Sequence, residues 1–367
     1  MQKNMNWYKD YDVDFLKRIC NVFKKNEKNL TFGQFSRIKE RDLIKYLDSG
    51  NIIYSNNCCI VWRELKRNSF KKDFRGEKIY FSKGDVIVDR FSSFSIGEAK
   101  VLFGEFLKKV NKKTVYVNIF EEDRVSREIM SLFSFNWVST KIMSSSEIIG
   151  FYSNSFKSCH ISEKEKLSLC SASELLNKSS NVSDEEVKVI RQELESYSNF
   201  VQHYSHYNKR NSWLAFSIKG YDKDDPGFII KPDEMSKKWK KENIEYLESK
   251  SEYTSISNLF PFTIKFAEKF GQLDRLRFMK LKSGGELSRH ADITNKQAGA
   301  SSGKIARLHL SIIDHQDVKY HSWDLRGKES VKSFDNSEVF YLDQRKPHRV
   351  VNKSSIDRIN LVMDVIL

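Results

Sequence analysis

The apolar positions of this chain change their period several times, and each change marks a different kind of element. Over residues 14–24, Phe15, Ile19, Val22 and Phe23 recur at helical spacing, and over 38–47 Leu43, Ile44 and Leu47 do the same, which predicts two opening helices. From 51 to 90 the pattern shortens to strand-like runs over 52–54, 58–63, 78–81 and 85–89, separated by Asn, Lys and Gly, and predicts an antiparallel meander. Helical spacing returns over 96–110, a buried strand over 114–120, a second helix over 121–133 and a returning strand over 135–141. The order there is β-α-β-α-β.

Residues 153–183 are rich in Ser, Asn and Lys, with little apolar periodicity beyond Leu167, Leu169, Leu175 and Leu176, so a domain junction is expected there. Beyond it the pattern predicts helices over 185–197, 233–249 and 256–270 and a strand over 213–219. Strand-like runs then dominate, over 276–281, 306–313, 338–342, 348–352 and 358–367. A chain of 367 residues exceeds one ordinary domain. The expected division is 1–154 and 185–367 joined by a linker at 155–184, with the strand-rich core of the second domain at about 273–367.

The alternation over 96–141, closed by Phe133-Ser134-Phe135, resembles the later half of the Gcn5-related acetyltransferase fold, and the resemblance covers 1–152. That fold implies a Gln/Arg-x-x-Gly-x-Gly/Ala turn whose backbone amides face the pyrophosphate of acetyl-coenzyme A. The corresponding stretch here runs from Arg90 to Gly97, and only its first residue and one later glycine survive. The N-terminal domain is therefore expected to be acetyltransferase-like without catalysing acyl transfer.

Composition narrows the class. The longest apolar runs, 58–62 and 86–88, fall far short of the roughly 20 residues that a bilayer-spanning helix needs. The N-terminus lacks the continuous apolar core of a secretory signal, so a cytoplasmic protein without a membrane partner is expected. Cys20, Cys58, Cys59, Cys159 and Cys170 are odd in number, scattered, and form no C-x-x-C pair, which argues against both a disulfide framework and a thiolate zinc site. Lys and Arg number 63 against 49 Asp and Glu, a net charge of +14. An acidic partner such as nucleic acid is compatible with that excess, although no nucleic-acid-binding motif accompanies it.

The candidate chemistry lies near the C-terminus. His290 and Asp292 are spaced i, i+2, which in extended backbone puts an imidazole and a carboxylate on one face. His348, 58 residues later and just after a strand, is the candidate third ligand. Two neutral imidazoles and one carboxylate leave three adjacent positions on a metal, as non-haem iron(II) oxygenases require for dioxygen and a bidentate 2-oxo acid. Such a co-substrate also has a distal carboxylate. Arg358, ten residues after His348 and inside an apolar strand, is the candidate cation for it.

The ordered set His290-x-Asp292, Arg307-Leu-His309-Leu, His348-Arg-Val-Val-Asn352 and Arg358-Ile-Asn-Leu-Val-Met-Asp364 resembles the aspartyl/asparaginyl β-hydroxylase family and its free-proline hydroxylase relatives over 213–367. The resemblance implies a double-stranded β-helix, a jelly roll of the cupin-like kind with flanking helices. The chain as a whole is then an α+β two-domain protein with an N-terminal α/β acetyltransferase-like domain. It further implies iron(II) on His290, Asp292 and His348, and Arg358 on the distal carboxylate of 2-oxoglutarate, with Arg307 and His309 helping to place co-substrate or substrate. Dioxygen is the other co-substrate, and an amino acid, free or in a peptide, the substrate. Asp292 argues for hydroxylation over halogenation, which needs that metal position for chloride. Two departures stand out: a polar insertion over 295–304 and a poorly matching stretch over 315–335.

His309, in an alternating strand, suits a hydrogen-bonded core histidine as well as a co-substrate contact. His203 and His206 read as structural or substrate-facing, and His160, His315 and His321 carry no metal case. Trp213 with Asp222, Asp224 and Asp225 reads as a core tryptophan before a solvated turn. The segment 294–303 has the composition of a loop that could close over substrate. Two rival functions remain: an acyl-coenzyme A-dependent N-acyltransferase, and a nucleic-acid-binding oxygenase acting on a nucleobase.

Overall fold

The computed structural model of the chain describes residues 17–18, 21, 40–55, 58–93, 95–143, 145–156, 161–205, 207–292, 303–334 and 338–367. Most of the helix expected over 14–24, most of the polar segment 294–303, and His160 and His206 lie outside the described residues. Backbone contacts divide the chain into two compact units, 1–143 with 147–160, and 144–146 with 161–367.

The first unit runs through helix α1 (Glu40–Asp48) and strands β1 (Ile52–Tyr54), β2 (Cys58–Glu64), β3 (Ser69–Lys72), β4 (Lys78–Phe81) and β5 (Val86–Ser93). It continues through α2 (Ile96–Val110), β6 (Val115–Phe120), α3 (Arg124–Leu132), β7 (Asn136–Ile142) and β8 (Ile148–Ser153). Six strands form one sheet in the order β1-β2-β5-β6-β8-β7. The expected meander is corrected in one respect: β3 and β4 leave the sheet as a separate hairpin. Its turn is held by Asp73, whose Oδ1 accepts the backbone N–H of Arg75 and Glu77, each at 2.9 Å. β5 and β6 pair in parallel, as a crossover through α2 demands, whereas the other pairs of this sheet are antiparallel. α3 starts later than its periodicity suggests because Asp123 caps it, accepting the Ser126 N–H at 3.0 Å. β8 went unpredicted. It is buried throughout between β6 and β7, and Gly150 within it lies so close to Glu121 that an added Cβ would sit 1.9 Å from the carboxylate Oε1.

The second unit opens with α4 (Glu163–Lys166), β9 (Leu169–Ser171), α5 (Ala172–Leu176), α6 (Asp184–Glu195), β10 (Val201–Gln202) and β11 (Trp213–Gly220). It goes on through α7 (Lys237–Glu242), β12 (Glu252–Tyr253), α8 (Pro261–Glu268), β13 (Leu273–Leu281), β14 (Glu286–His290) and β15 (Ile305–Ile313). β16 (Val318–Trp323), β17 (Glu329–Lys332), β18 (Val339–Leu342), β19 (His348–Asn352) and β20 (Arg358–Ile366) complete it. The larger sheet has the order β10-β11-β13-β20-β15-β18-β9, with β12 on β11, and the smaller β14-β19-β16-β17. From β13 onward the chain passes back and forth between the two sheets.

Alternation along the strands explains the layers. Ile359, Leu361, Met363 and Val365 of β20 and Ala306, Leu308, Leu310 and Ile312 of β15 pack in one core with Val187, Ile190 and Leu194 of α6 and Phe266 and Ala267 of α8. Val362, Met279, Leu281 and Phe340 on the opposite face form a second core with Leu287, Val318, Tyr320 and Val350 of the smaller sheet. A register shift between Leu273 and Arg275 switches the phase of β13, so Leu273 joins the helix-side core while Arg275 and Arg277 fall on the face of Met279 and Leu281.

Three expectations change here. The helix expected over 233–249 is broken into Pro232–Glu234, Lys237–Glu242 and Ile244–Tyr246, none of whose described residues is buried in α7; charged spacing without an apolar stripe does not sustain a long helix. The helix expected over 256–270 is cut by Pro261, which takes its first position. The stretch read as a linker contributes β9, paired with β18, and Leu175 of α5 to the core. Among the described residues no helix is long and apolar enough to cross a membrane.

Candidate metal centre and its charged surroundings

β14 and β19 pair antiparallel in a register that sets His290 opposite His348, ring centroids 4.3 Å apart. Asp292 follows β14, and its backbone N–H donates to the Gln344 carbonyl at 2.7 Å, which ties it to the turn that leads into His348. His290 Nε2 lies 3.5 Å from Asp292 Oδ1. One donor atom from each of the three residues lies within 4.8 Å of the others.

Backbone contacts select the useful imidazole tautomer. His290 Nδ1 is 2.6 Å from the Ser288 carbonyl and His348 Nδ1 is 2.9 Å from the Lys346 carbonyl. A carbonyl only accepts, so each Nδ1 carries the proton and each Nε2 keeps its lone pair. Burial alone would raise the Asp292 carboxyl, but charge on the two imidazoles when they are protonated, and on the Arg307 guanidinium, outweighs it and holds the group below the usual carboxylate range. Two imidazole nitrogens and an ionised oxygen suit a divalent first-row metal.

Behind these residues lies a buried cluster of charge. Arg307 of β15 donates through Nη1 to Asp292 Oδ2 at 2.8 Å, through Nε to Asp364 Oδ1 at 2.7 Å and through Nη2 to Asp364 Oδ2 at 2.9 Å. Asp364 Oδ2 also accepts from Arg275 Nε at 2.8 Å and from Arg277 Nη2 at 3.2 Å. Burial works to raise the Asp364 carboxyl, but the three guanidiniums hold it well below its ordinary value, and Asp364 in turn raises Arg307.

Arg358 opens β20 on the same face, 3% exposed, its guanidinium 5.5 Å from the centroid of the Tyr320 ring. Its Nε is buried without a hydrogen-bond partner among the described residues. The Tyr320 hydroxyl accepts from Asn360 Nδ2 at 2.9 Å, and burial pushes that phenol up to about 12. His309 stacks on Phe340 with centroids 5.1 Å apart, and both its ring nitrogens are buried without a partner among the described residues. It is thus not a hydrogen-bonded core histidine. Burial, then Arg307 and Arg358, keep it neutral by lowering it well below its ordinary value.

The residues fit the implied cofactors on these observations. The donor set suits iron(II), and a dicarboxylate would satisfy the orphaned Arg358 and His309 atoms, which are costly to leave buried and unpaired.

Sequence reasoning missed Arg275, Arg277 and the binding role of Asp364; two arginines at i, i+2 interrupting an apolar strand were the available signal. It also missed Tyr207, which stacks on His290 at 4.2 Å. His203 is buried and stacks on Trp213 at 3.5 Å, and belongs to no metal-ligating group among the described residues; nor do His315 and His321. Asp222 Oδ1 accepts the N–H of Asp224 and Asp225, as a solvated turn would.

The family model for aspartyl/asparaginyl β-hydroxylases matches residues 184–367, half of the chain. Among solved structures, a Pseudomonas putida prolyl-4-hydroxylase is 12% identical, with 52% of this chain and 90% of that one covered and a TM-score of 0.31. A 2OG-Fe(II) oxygenase family oxidoreductase from Burkholderia pseudomallei is 12% identical over 50% and 78%, with a TM-score of 0.31. OsALKBH1 is 14% identical over 54% and 95%, with a TM-score of 0.31. No curated protein matches the chain.

Proposed function

Because the chain belongs to the aspartyl/asparaginyl β-hydroxylase family, we propose that it hydroxylates an unactivated C–H bond of an amino acid, free or within a peptide, with His290, Asp292 and His348 as its iron ligands. The enzyme is a 2-oxoglutarate-dependent hydroxylase that uses iron(II), 2-oxoglutarate and dioxygen. The single observation that carries the ligand assignment is the convergence within 4.8 Å of one donor atom each from His290 at the end of β14, Asp292 just beyond it, and His348 at the start of β19.

When bound, iron with its two co-substrates supplies the oxidation: one oxygen atom enters the C–H bond, the other enters succinate, and carbon dioxide leaves. The chain's own residues bind and orient. Arg358 takes the distal carboxylate of 2-oxoglutarate, and His309, neutral and stacked, donates to the bound dianion. Arg307 holds Asp292 in place and would help to place the co-substrate or substrate. The interleaved order of the two sheets supports a double-stranded β-helix as the scaffold.

For the first unit we propose an acetyltransferase-like fold with no acyl-coenzyme A role. The parallel β5–β6 pair joined by α2 supports the fold. Among the described residues of 90–97 no glycine-rich turn separates β5, which runs to Ser93, from α2, which begins at Ile96 behind Ser95, whose side chain accepts the Glu98 N–H.

The test is anaerobic reconstitution with iron(II), calorimetric titration with 2-oxoglutarate, and a succinate-release screen over amino acids and peptides. His290→Ala and Asp292→Ala should abolish release; equal release by wild type and both variants would exclude this centre.

A further inference from the structure

The turn over 343–347, which leads into His348, is tied down at its charged positions. Asp343 accepts from Arg345 Nε at Oδ1 and from Arg345 Nη2 at Oδ2, each at 2.8 Å, and its Oδ2 lies 3.3 Å from Lys346 Nζ. Lys346 also donates through Nζ to the Leu167 carbonyl, and the Asp343 N–H donates to the Ser168 carbonyl at 3.0 Å. The Pro347 carbonyl accepts the Trp323 N–H at 3.0 Å, which fastens the turn to β16. A turn held in this way presents its remaining polar side chain in a fixed place.

That side chain is Gln344. It is 3% exposed, and neither its Oε1 nor its Nε2 has a hydrogen-bond partner among the described residues. A buried carboxamide is costly to leave with both atoms unpaired, and for packing alone a leucine or methionine would fill the same volume without that cost. The Gln344 main-chain carbonyl accepts the Asp292 N–H at 2.7 Å, and Gln344 precedes His348 by four residues. Its carboxamide therefore belongs to the metal end of the smaller sheet.

The other end belongs to the co-substrate. Arg358 pairs with Leu281 in register, and Asn352 Nδ2 donates to the Leu281 carbonyl at 3.1 Å, so Arg358 lies at the Asn352 end of β19. His348 opens the opposite end, roughly 13 Å away along the extended strand. The line from the proposed metal ligands to Arg358 thus runs toward Asn352 and away from the turn that carries Gln344. This leaves the substrate as the bound molecule that can meet the carboxamide.

Resting on the oxygenase reading above, we infer that Gln344 binds and orients the substrate through paired hydrogen bonds, Nε2 donating to an acceptor on the substrate and Oε1 accepting from a donor beside it. An amide presents such a pair, and so do the carboxylate and ammonium of a free amino acid. The test separates these two sources.

Gln344→Met keeps the length and volume of the side chain and removes both polar atoms; Gln344→Leu is the second variant. In the full chain and without substrate, the urea midpoint of each should equal or exceed that of wild type, and the dissociation constants for iron(II) and 2-oxoglutarate should stay within about threefold. Succinate release by the iron-loaded proteins is then followed with the proteinogenic L-amino acids, their α-amides, and N-acetylated, C-amidated peptides with each of those residues at the centre. Response to a free amino acid and not to its α-amide identifies the carboxylate and ammonium pair; response to an α-amide or a capped peptide identifies an amide. With the responding compound, KM should rise about 10- to 100-fold in both variants, as the loss of two hydrogen bonds requires, and a smaller share of the succinate should be matched by hydroxylated product. A KM within about threefold of wild type, a lowered urea midpoint in both variants, a 2-oxoglutarate dissociation constant raised about tenfold or more, or no response across the panel overturns the inference. Calorimetry on wild type keeps the two readings apart: if the iron-loaded chain fails to bind 2-oxoglutarate, the oxygenase reading fails; if it binds normally and any of those results appears, only this inference does.

Discussion

His290 and His348 stand directly opposite each other in the β14–β19 register, their rings 4.3 Å apart and each Nδ1 turned onto a backbone carbonyl of its own strand or turn. With the Nε2 atoms thus presented, replacing either residue by Ala should weaken metal binding on the order of 100-fold or more, since changes even one shell further out cost 10–100-fold. Calorimetric titration with iron(II) under argon measures it. An unchanged affinity in His348→Ala would remove that residue from the centre.

Arg358→Met should raise the dissociation constant of 2-oxoglutarate about 30-fold or more, because the co-substrate's distal carboxylate would lose a buried charged partner. Metal affinity should move little. The pairing of those two titrations separates a co-substrate role from general damage to the site.

His309→Phe makes a sharper comparison. Two buried ring nitrogens without partners disappear in an aromatic swap of similar shape, so resistance to urea should stay level or improve, by up to about 1–2 kcal/mol. The affinity for 2-oxoglutarate should fall in the same protein. A variant that loses stability and keeps its affinity would mark His309 as structural.

Asp364→Asn should destabilise the second unit by about 3–5 kcal/mol, since three buried guanidiniums lose their shared counter-charge. Chemical denaturation measures this, and Asp364→Leu should be worse. Acid gives the same answer from another side. A carboxyl held far below its unfolded value contributes stability that is complete above about pH 4 and is lost as pH falls through the folded value.

Asp123 has the opposite sign. Burial pushes its carboxyl up to about 7, so the folded state holds its proton more tightly, and its contribution falls as pH rises from about 4 to about 7. Asp123→Asn keeps a capping acceptor for Ser126 and removes the titration. The urea midpoint of the first unit should then decline less between pH 4 and 8 than in wild type; an identical decline would place the titrating group elsewhere.

The three proposed metal ligands and Arg358 were legible in the sequence because His290 and Asp292 stand at i, i+2 and because His348 and Arg358 each open an apolar strand, β19 and β20. β16 and β17 were not, because Ser322 is a polar residue on the buried side of Val318–Trp323 and no residue of Glu329–Lys332 is buried at all. Asp364 was visible as a residue, but not its role: it meets Arg275 and Arg277 only through a strand pairing nearly ninety residues long in sequence, and its phase depends on a bulge that no periodicity announces. In β9 three residues suffice to complete a sheet edge, too few to register as a pattern.

β14 closes one end of the four-stranded sheet, held by β19 on one side and on the other by the isolated bridge from Asn208 to Leu287. An ion spanning His290 and His348 would act as a rivet through that margin, fastening the outermost strand to its inner neighbour. Iron loading and the rigidity of this border are then one property, and amide hydrogens of Leu287 to His290 should exchange faster in metal-free enzyme than those of β20, which is flanked by a strand on each side.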